Sequence, residues 1–225
     1  MRRSASLANC RRLGAADLRS LQHQHKKIKM KALFAVTVTI PFALALPVAL
    51  NVAWAEEADI ATQQARQAAV ALGKTLKQEL VSAMQKGGAV EAISVCNLKA
   101  MPLTEQISEE TGWQVGRTSL KVRNPANTPD DWERRQLEKF QARLDAGEPM
   151  ASLESMTTET RDGVTIQRYM KAIPVQGPCL ACHGATLSPA VQNKLDGLYP
   201  HDKARGYQLG ELRGAFTLEK ALSTE

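Results

Sequence analysis

Ser155-Met156-Thr157-Thr158-Glu159-Thr160-Arg161-Asp162-Gly163-Val164-Thr165-Ile166-Gln167-Arg168-Tyr169-Met170-Lys171-Ala172-Ile173 is the stretch on which the fold turns. Its polarity alternates with period two, and β-branched residues flank an Asp-Gly pair. That pair tolerates the positive φ angles of a two-residue hairpin loop. Ser155 to Thr160 and Val164 to Ile173 therefore read as the two arms of a β-hairpin. An all-helical bundle has no place for such a hairpin.

Downstream, Pro189 to Leu195 reads as a short helix and Tyr199-Pro200-His201-Asp202 as a turn. Gly210 to Leu218 reads as a last strand, with Leu212, Gly214, Phe216 and Leu218 on one side. Upstream, helical periodicity runs through Ile60, Ala65, Ala68, Leu72, Leu76, Leu80 and Met84. This predicts a helix over 58–86 that ends at Gly87-Gly88. A second helix carries Val90, Ile93, Cys96 and Ala100 on one face, and a further helical piece, Leu103 to Glu110, follows Pro102. Trp113 to Thr118 is predicted as a short strand. Ser119 to Asn127 is a polar loop, basic at intervals. Thr128-Pro129-Asp130-Asp131 opens another helix, with Thr128 as N-cap, Pro129 at the first helical position and Asp131 three residues after the Thr. It carries Trp132, Leu137, Phe140 and Leu144 and stops before Gly147. Helices followed by antiparallel strands make an α+β domain.

Just beyond the hairpin stands Cys179-Leu180-Ala181-Cys182-His183-Gly184. Two thiols three residues apart, followed at once by an imidazole, form the attachment pattern of a c-type haem. The cysteines can form two thioethers to the porphyrin, and His183 can reach the iron as axial ligand. Gly184 adds no side chain where a macrocycle would crowd one. A zinc site would need two more cysteines or histidines at short spacing, and Cys96 and His201 are both isolated. A CxxC redox pair would sit at a helix start after a strand in a thioredoxin-like pattern, and the chain upstream does not read as that pattern.

The 225 residues carry a formal charge of +6, but that charge is unevenly placed. Residues 1–55 hold nine Lys/Arg and one acidic residue, and the remainder is net −2. The basic excess reads as an export signal and a nucleic-acid partner is not expected. From Met30 the order is a basic start, the apolar run Ala32 to Leu50, and Ala53-Trp54-Ala55. That is the layout of a signal peptide cleaved after Ala55, with Met30 as an alternative start. Residues 56–225 then form one domain in the periplasm, with no stable membrane insertion after cleavage. With Cys179 and Cys182 taken by haem, Cys96 is left over, and no disulfide framework is available.

Arg117-Thr118-Ser119-Leu120-Lys121-Val122-Arg123-Asn124-Pro125-Ala126-Asn127, with Trp132-Glu133, the haem motif, Tyr199-Pro200, Asp202, Ala204, Gly206-Tyr207 and Gly214, resembles the haem-c-binding PAS-like sensor domain family. Members occur as exported single domains or as ectodomains of histidine kinases and chemoreceptors, and the resemblance covers residues 58 to 222. It implies a PAS-like antiparallel sheet with long flanking helices and one covalent haem. It also implies a cysteine thiolate opposite the haem histidine, and the matching position is Cys96.

The residues alone leave the sixth iron ligand open among Cys96, His201 and the methionines Met84, Met101, Met150, Met156 and Met170. Methionines on helical stripes or in strands are usually packing residues. The resemblance favours Cys96. Arg117, Lys121 and Arg123 read as solvated or structural; the functional alternative is that Arg117 or Arg123 pairs with the haem propionates. The expected function is a redox or small-ligand sensor with a redox or signalling partner protein. A periplasmic electron-transfer cytochrome is the alternative. An enzyme is not expected, because few polar catalytic groups accompany the motif.

Overall fold

The computed structural model describes the backbone of residues 46–222 and the side chains of 58–222. Residues 1–45 of the expected leader lie outside the described residues. Among the described residues no helix is long and apolar enough to cross a membrane.

Helix α1, Leu46–Thr111, is broken at Gly87 (φ −148°, ψ 20°) and Gly88 (φ 68°, ψ −160°). The second glycine sits in the left-handed region that side chains avoid, so the sequence places the break where only glycine is comfortable. Pro102 does not separate a further helix, contrary to expectation; α1 runs through it. The proline removes one N–H, but Leu98, whose carbonyl would have accepted it, is 73% exposed and water can take its place.

Strand β1 is Gln114–Thr118, helix α2 Asp131–Asp145, and the hairpin strands β2 Glu154–Arg161 and β3 Val164–Pro174. Asp162 (φ 52°) and Gly163 (φ 80°) make the expected turn between them. Helix α3 is Leu180–His183, α4 Pro189–Leu198 and strand β4 Leu212–Ala221. The strands form one four-stranded antiparallel sheet in the order β1-β4-β3-β2. This is the expected α+β, PAS-like architecture.

The period-two pattern of β3 sends neighbours to opposite faces of the sheet. Tyr169 joins Ala65, Ala68 and Leu72 of α1, together with Trp113, Val115 and Leu218. Met170 and Ala172 join Leu137 and Phe140 of α2. The sheet is thus covered on both faces. Each fully buried large apolar side chain contributes about 1.5–3 kcal/mol. Beyond the Gly87-Gly88 break, α1 packs Ile93 against Leu187 and against Val191 and Leu195 of α4.

Two local expectations are corrected. The α2 N-cap is Asp130, not Thr128, and it forms a reciprocal capping box with Glu133. A Thr128 cap would have relied on Asp131, whose carboxylate is one methylene shorter than the Glu of a capping box. Thr128 instead bonds Pro125 O at 2.6 Å and closes the preceding turn. In β4, Leu212 does not share the face of Gly214, Phe216 and Leu218. A bulge pairs Pro174 with Leu212 directly after Ile173 with Gly214, which flips the alternation and puts Leu212 against the α2 cluster.

Candidate functional site

The two thiols and the imidazole occupy one turn. Gly177–Cys179 form a 3-10 segment that continues into α3, Leu180–His183. Backbone bonds tie this turn to the approach to β4. Val175 N donates to Glu211 O at 2.8 Å, Tyr207 N to His183 O at 2.9 Å, and Gly206 N to Gly184 O at 3.1 Å. Gly184 is required for a different reason from the one expected. A Cβ there would stand 2.6 Å from Leu180 O, the carbonyl to which Gly184 N already donates at 3.0 Å.

His183 Nδ1 donates to Ala204 O at 2.7 Å. This fixes the tautomer with the proton on Nδ1. Its Nε2 has no hydrogen-bond partner among the described residues and is left with a lone pair. Burial, with Arg213 and Arg123 adding to it, pushes the His183 pKa down to about 3. The Tyr207 ring meets the imidazole edge to face at 6.2 Å between centroids. Lys121 Nζ lies 4.6 Å, and the Arg213 guanidinium 5.3 Å, from the centroid of the same tyrosine ring.

Arg123 lies beneath the motif, where its side chain is 13% exposed. Its Nη2 donates to Cys182 O at 2.6 Å and Ala204 O at 3.2 Å, and its Nε to Asp202 Oδ1 at 3.1 Å. The Asp202 side chain is 0% exposed. Burial opposes its ionisation, but hydrogen bonds from Arg123, Arg205 and Ala204 N prevail and hold its carboxyl below the ordinary value. Arg117 is half-buried on β1, and among the described residues it has no carboxylate partner. Burial pushes its guanidinium below the usual value, while Cys96 acts in the opposite direction.

Cys96, on α1 beyond the glycine break, is brought to this cluster. Burial pushes its thiol up, and Arg117 and Arg123 pull it down. Burial likewise raises the Cys182 thiol; Arg123 lowers it, and Cys96 and Cys179 raise it further. Cys182 packs against the Ile93, Val191 and Leu195 cluster, and Cys179 against Val175, Ala204 and Tyr207. All three cysteines are free. The other ligand candidates differ in their surroundings. His201 is exposed and Met101 is 40% exposed. Met156 packs on the α1 side of the sheet, Met150 and Met170 on the α2 side, and Met84 is half-buried on α1.

Sequence reasoning gave no role to Asp202 or Ala204 and missed Arg213, whose Nη1 donates to Ser119 Oγ at 2.9 Å. The available signal was the charged residue directly before Gly214, the one charge in the run Leu212 to Leu218. Asp202 is bonded by Arg123 and Arg205, while Arg117 and Arg213, close enough for their charges to interact, bring further positive charge to the cluster. Such surroundings favour anionic groups. Two thiols on one turn, an imidazole with Nε2 available and an excess of positive charge fit a haem with its thioether, iron and propionate demands.

A family model described as Tll0287-like matches residues 50–220. No curated protein matches the chain. Among solved structures, the crystal structure of the cyanobacterial heme-protein Tll0287 is similar at 27% identity over 69% of this chain and 94% of that one, with a TM-score of 0.47.

Proposed function

The chain belongs to the Tll0287-like family, and on that premise we propose that it is an exported haem-binding domain that senses redox state or a small ligand. One observation carries the reading: on the turn that bears both thiols, Ala204 O holds His183 with Nε2 available, and Cys96, 83 positions before Cys179, lies close enough to Cys182 and Arg123 for their charges to interact. Cys179 and Cys182 would hold one haem covalently, His183 would be its proximal ligand and Cys96 its distal one. When bound, the haem supplies a one-electron couple and an iron centre able to take a small ligand.

The chain's own groups do the rest. Ala204 O keeps the Nδ1 proton in place and presents Nε2. Arg117 and Arg123 lower the cost of a Cys96 thiolate, against the burial that opposes it. Arg117 keeps the charge to meet a propionate, whereas Arg123 already serves Asp202 and two carbonyls. Cys96 lies on the limb of α1 beyond Gly87-Gly88, so a change at its sulfur bears on the helix that also covers the sheet. That link between site and helix favours sensing over electron transfer alone. A redox or signalling protein is the expected partner.

The test is periplasmic expression with a c-type maturation system, followed by intact mass and spectroscopy. A polypeptide starting at Glu56 with one haem is expected, and the Cys179→Ser/Cys182→Ser double variant should release haem into acidified organic solvent. In Cys96→Ala the ferric EPR spectrum should lose its low-spin thiolate signature and the midpoint potential should rise. Covalent haem in the double variant, or spectra unchanged by Cys96→Ala, would overturn the corresponding assignment.

A further inference from the structure

We infer that Arg123 and Asp202 act as a coupled positioning pair for His183, setting the donor strength of its ring through the shared carbonyl of Ala204. The inference rests on the haem-binding reading above. Ala204 O accepts two hydrogen bonds, from His183 Nδ1 at 2.7 Å and from Arg123 Nη2 at 3.2 Å. A carbonyl has two lone pairs and serves both donors, but both draw on the electron density of one oxygen, so each bond weakens the other. The more density the guanidinium draws, the less the carbonyl pulls on the imidazole proton, and the weaker a donor Nε2 becomes.

Asp202 governs that competition. Its Oδ1 accepts from Arg123 Nε at 3.1 Å and from Ala204 N at 2.8 Å. The carboxylate thus neutralises the guanidinium, whose Nη2 also lies 3.1 Å from Oδ2, and through Oδ1 it anchors the residue whose carbonyl is shared. Arg205, at the rim and 30% exposed, bonds the other oxygen at 2.9 Å and holds the carboxylate in place. Arg123 also grips Cys182 O at 2.6 Å, so the same guanidinium fixes the backbone of the turn that carries His183. The Asp202 side chain is 0% and the Arg123 side chain 13% exposed, so water screens this chain of contacts little. Groups that bond the second nitrogen of a ligating histidine tune both its orientation and its basicity.

The arrangement gives opposite signs for the two halves of the pair. Without the carboxylate, an uncompensated cation draws on Ala204 O, the ring donates less, and the midpoint potential rises. Without the guanidinium, the carbonyl belongs to His183 alone, the Asp202 carboxylate keeps only Arg205 as its counter-ion, and the potential falls. Disruption by loosened packing would shift both variants in the same direction.

The experiment compares haem-loaded wild type, Asp202→Asn, Arg123→Gln and Arg123→Lys by potentiometric titration, with bound haem per chain measured alongside. Asp202→Asn is expected to raise and Arg123→Gln to lower the redox equilibrium constant by about tenfold each, which is about 59 mV for a one-electron couple. Arg123→Lys, which keeps the charge, should return most of the way to wild type. Shifts of the same sign, or none, overturn the inference. Should Asp202→Asn fail to fold, Arg123→Gln decides alone: a fall supports the pair, and a rise or no change refutes it. Loss of covalent haem from both variants also refutes it, because attachment belongs to the Cys179 and Cys182 thiols. A wild type that binds no haem defeats the haem-binding reading itself.

Discussion

Gly184→Ala separates two reasons for a glycine beside the haem motif. If the residue is small to make room for a macrocycle, the haem-free protein should not notice a methyl group. The geometry says otherwise, because the added Cβ would lie 2.6 Å from Leu180 O and within 3.5 Å of the Leu180 Cα. That oxygen cannot retreat easily, since it accepts the Gly184 N–H at 3.0 Å, a bond contributing about 1 kcal/mol. Overpacking of this kind costs about 1–3 kcal/mol. The alanine recovers about 0.5 kcal/mol by restricting the unfolded chain, since φ at this position is −68°. The net loss is about 1–2 kcal/mol, or about 2–8 °C in Tm for a domain of this size. The assay is thermal unfolding by circular dichroism in the Cys179→Ser/Cys182→Ser background, which holds no covalent haem. An unchanged Tm there, combined with poor haem loading of Gly184→Ala in the otherwise intact chain, would refute the backbone-clash account.

Two further outcomes follow from the packing and the charges. Gly214→Ala should cost at least about 2 kcal/mol, because its Cβ would stand 2.3 Å from Thr118 O, where β1 and β4 pair; denaturant unfolding measures it, and a midpoint within error of wild type would count against the register. Glu154 is held down to about 2 from 4.5, chiefly by its hydrogen bond from Arg66 and despite burial, with Tyr169 helping. A depressed carboxyl stabilises the fold above its unfolded pKa, so this contribution should be complete above about pH 5 and vanish as pH falls from 4.5 towards 2. Arg66 is 43% exposed, so solvent screening limits the contribution to about 1 kcal/mol. Glu154→Gln should remove that part of the acid sensitivity, and an identical pH profile would show the pair to be idle.

Where the sequence was legible, local chemistry decided the local structure. Asp162-Gly163 announced the hairpin because few dipeptides accept φ angles of 52° and 80° in succession. Gly87-Gly88 announced the break in α1 for the same reason. The misreadings came where two local rules competed. Thr128 and Asp130 are both good caps, and the length of the Glu133 side chain chose between them. Pro102 is a helix breaker by default, yet Leu98 faces solvent there, and this could not be read from residue order. The bulge before Gly214 depends on how β3 pairs with β4, a non-local fact that reverses the face of Leu212.

The site divides along the same line. Thiols and imidazole within five consecutive residues are visible in any reading, because covalent haem attachment would demand that spacing. The groups that make His183 useful are not adjacent to it. Ala204 contributes only a backbone carbonyl, which no sequence motif encodes. Arg123 is 59 positions from the Cys182 carbonyl it holds and 79 from Asp202. In the sequence Arg123 belonged to a basic loop whose default reading is solvation. Folding alters that reading by burying Asp202, the one acid able to neutralise it, behind the motif. A buried carboxylate held below its ordinary pKa needs a cation nearby. That cation is then no longer free to meet a propionate on equal terms with Arg117, which lies half-buried with no carboxylate of its own among the described residues. Charge balance therefore separates the two arginines that the sequence treated as equivalent: Arg123 is committed to Asp202 and to the turn that carries His183, and Arg117 is left without a carboxylate among the described residues.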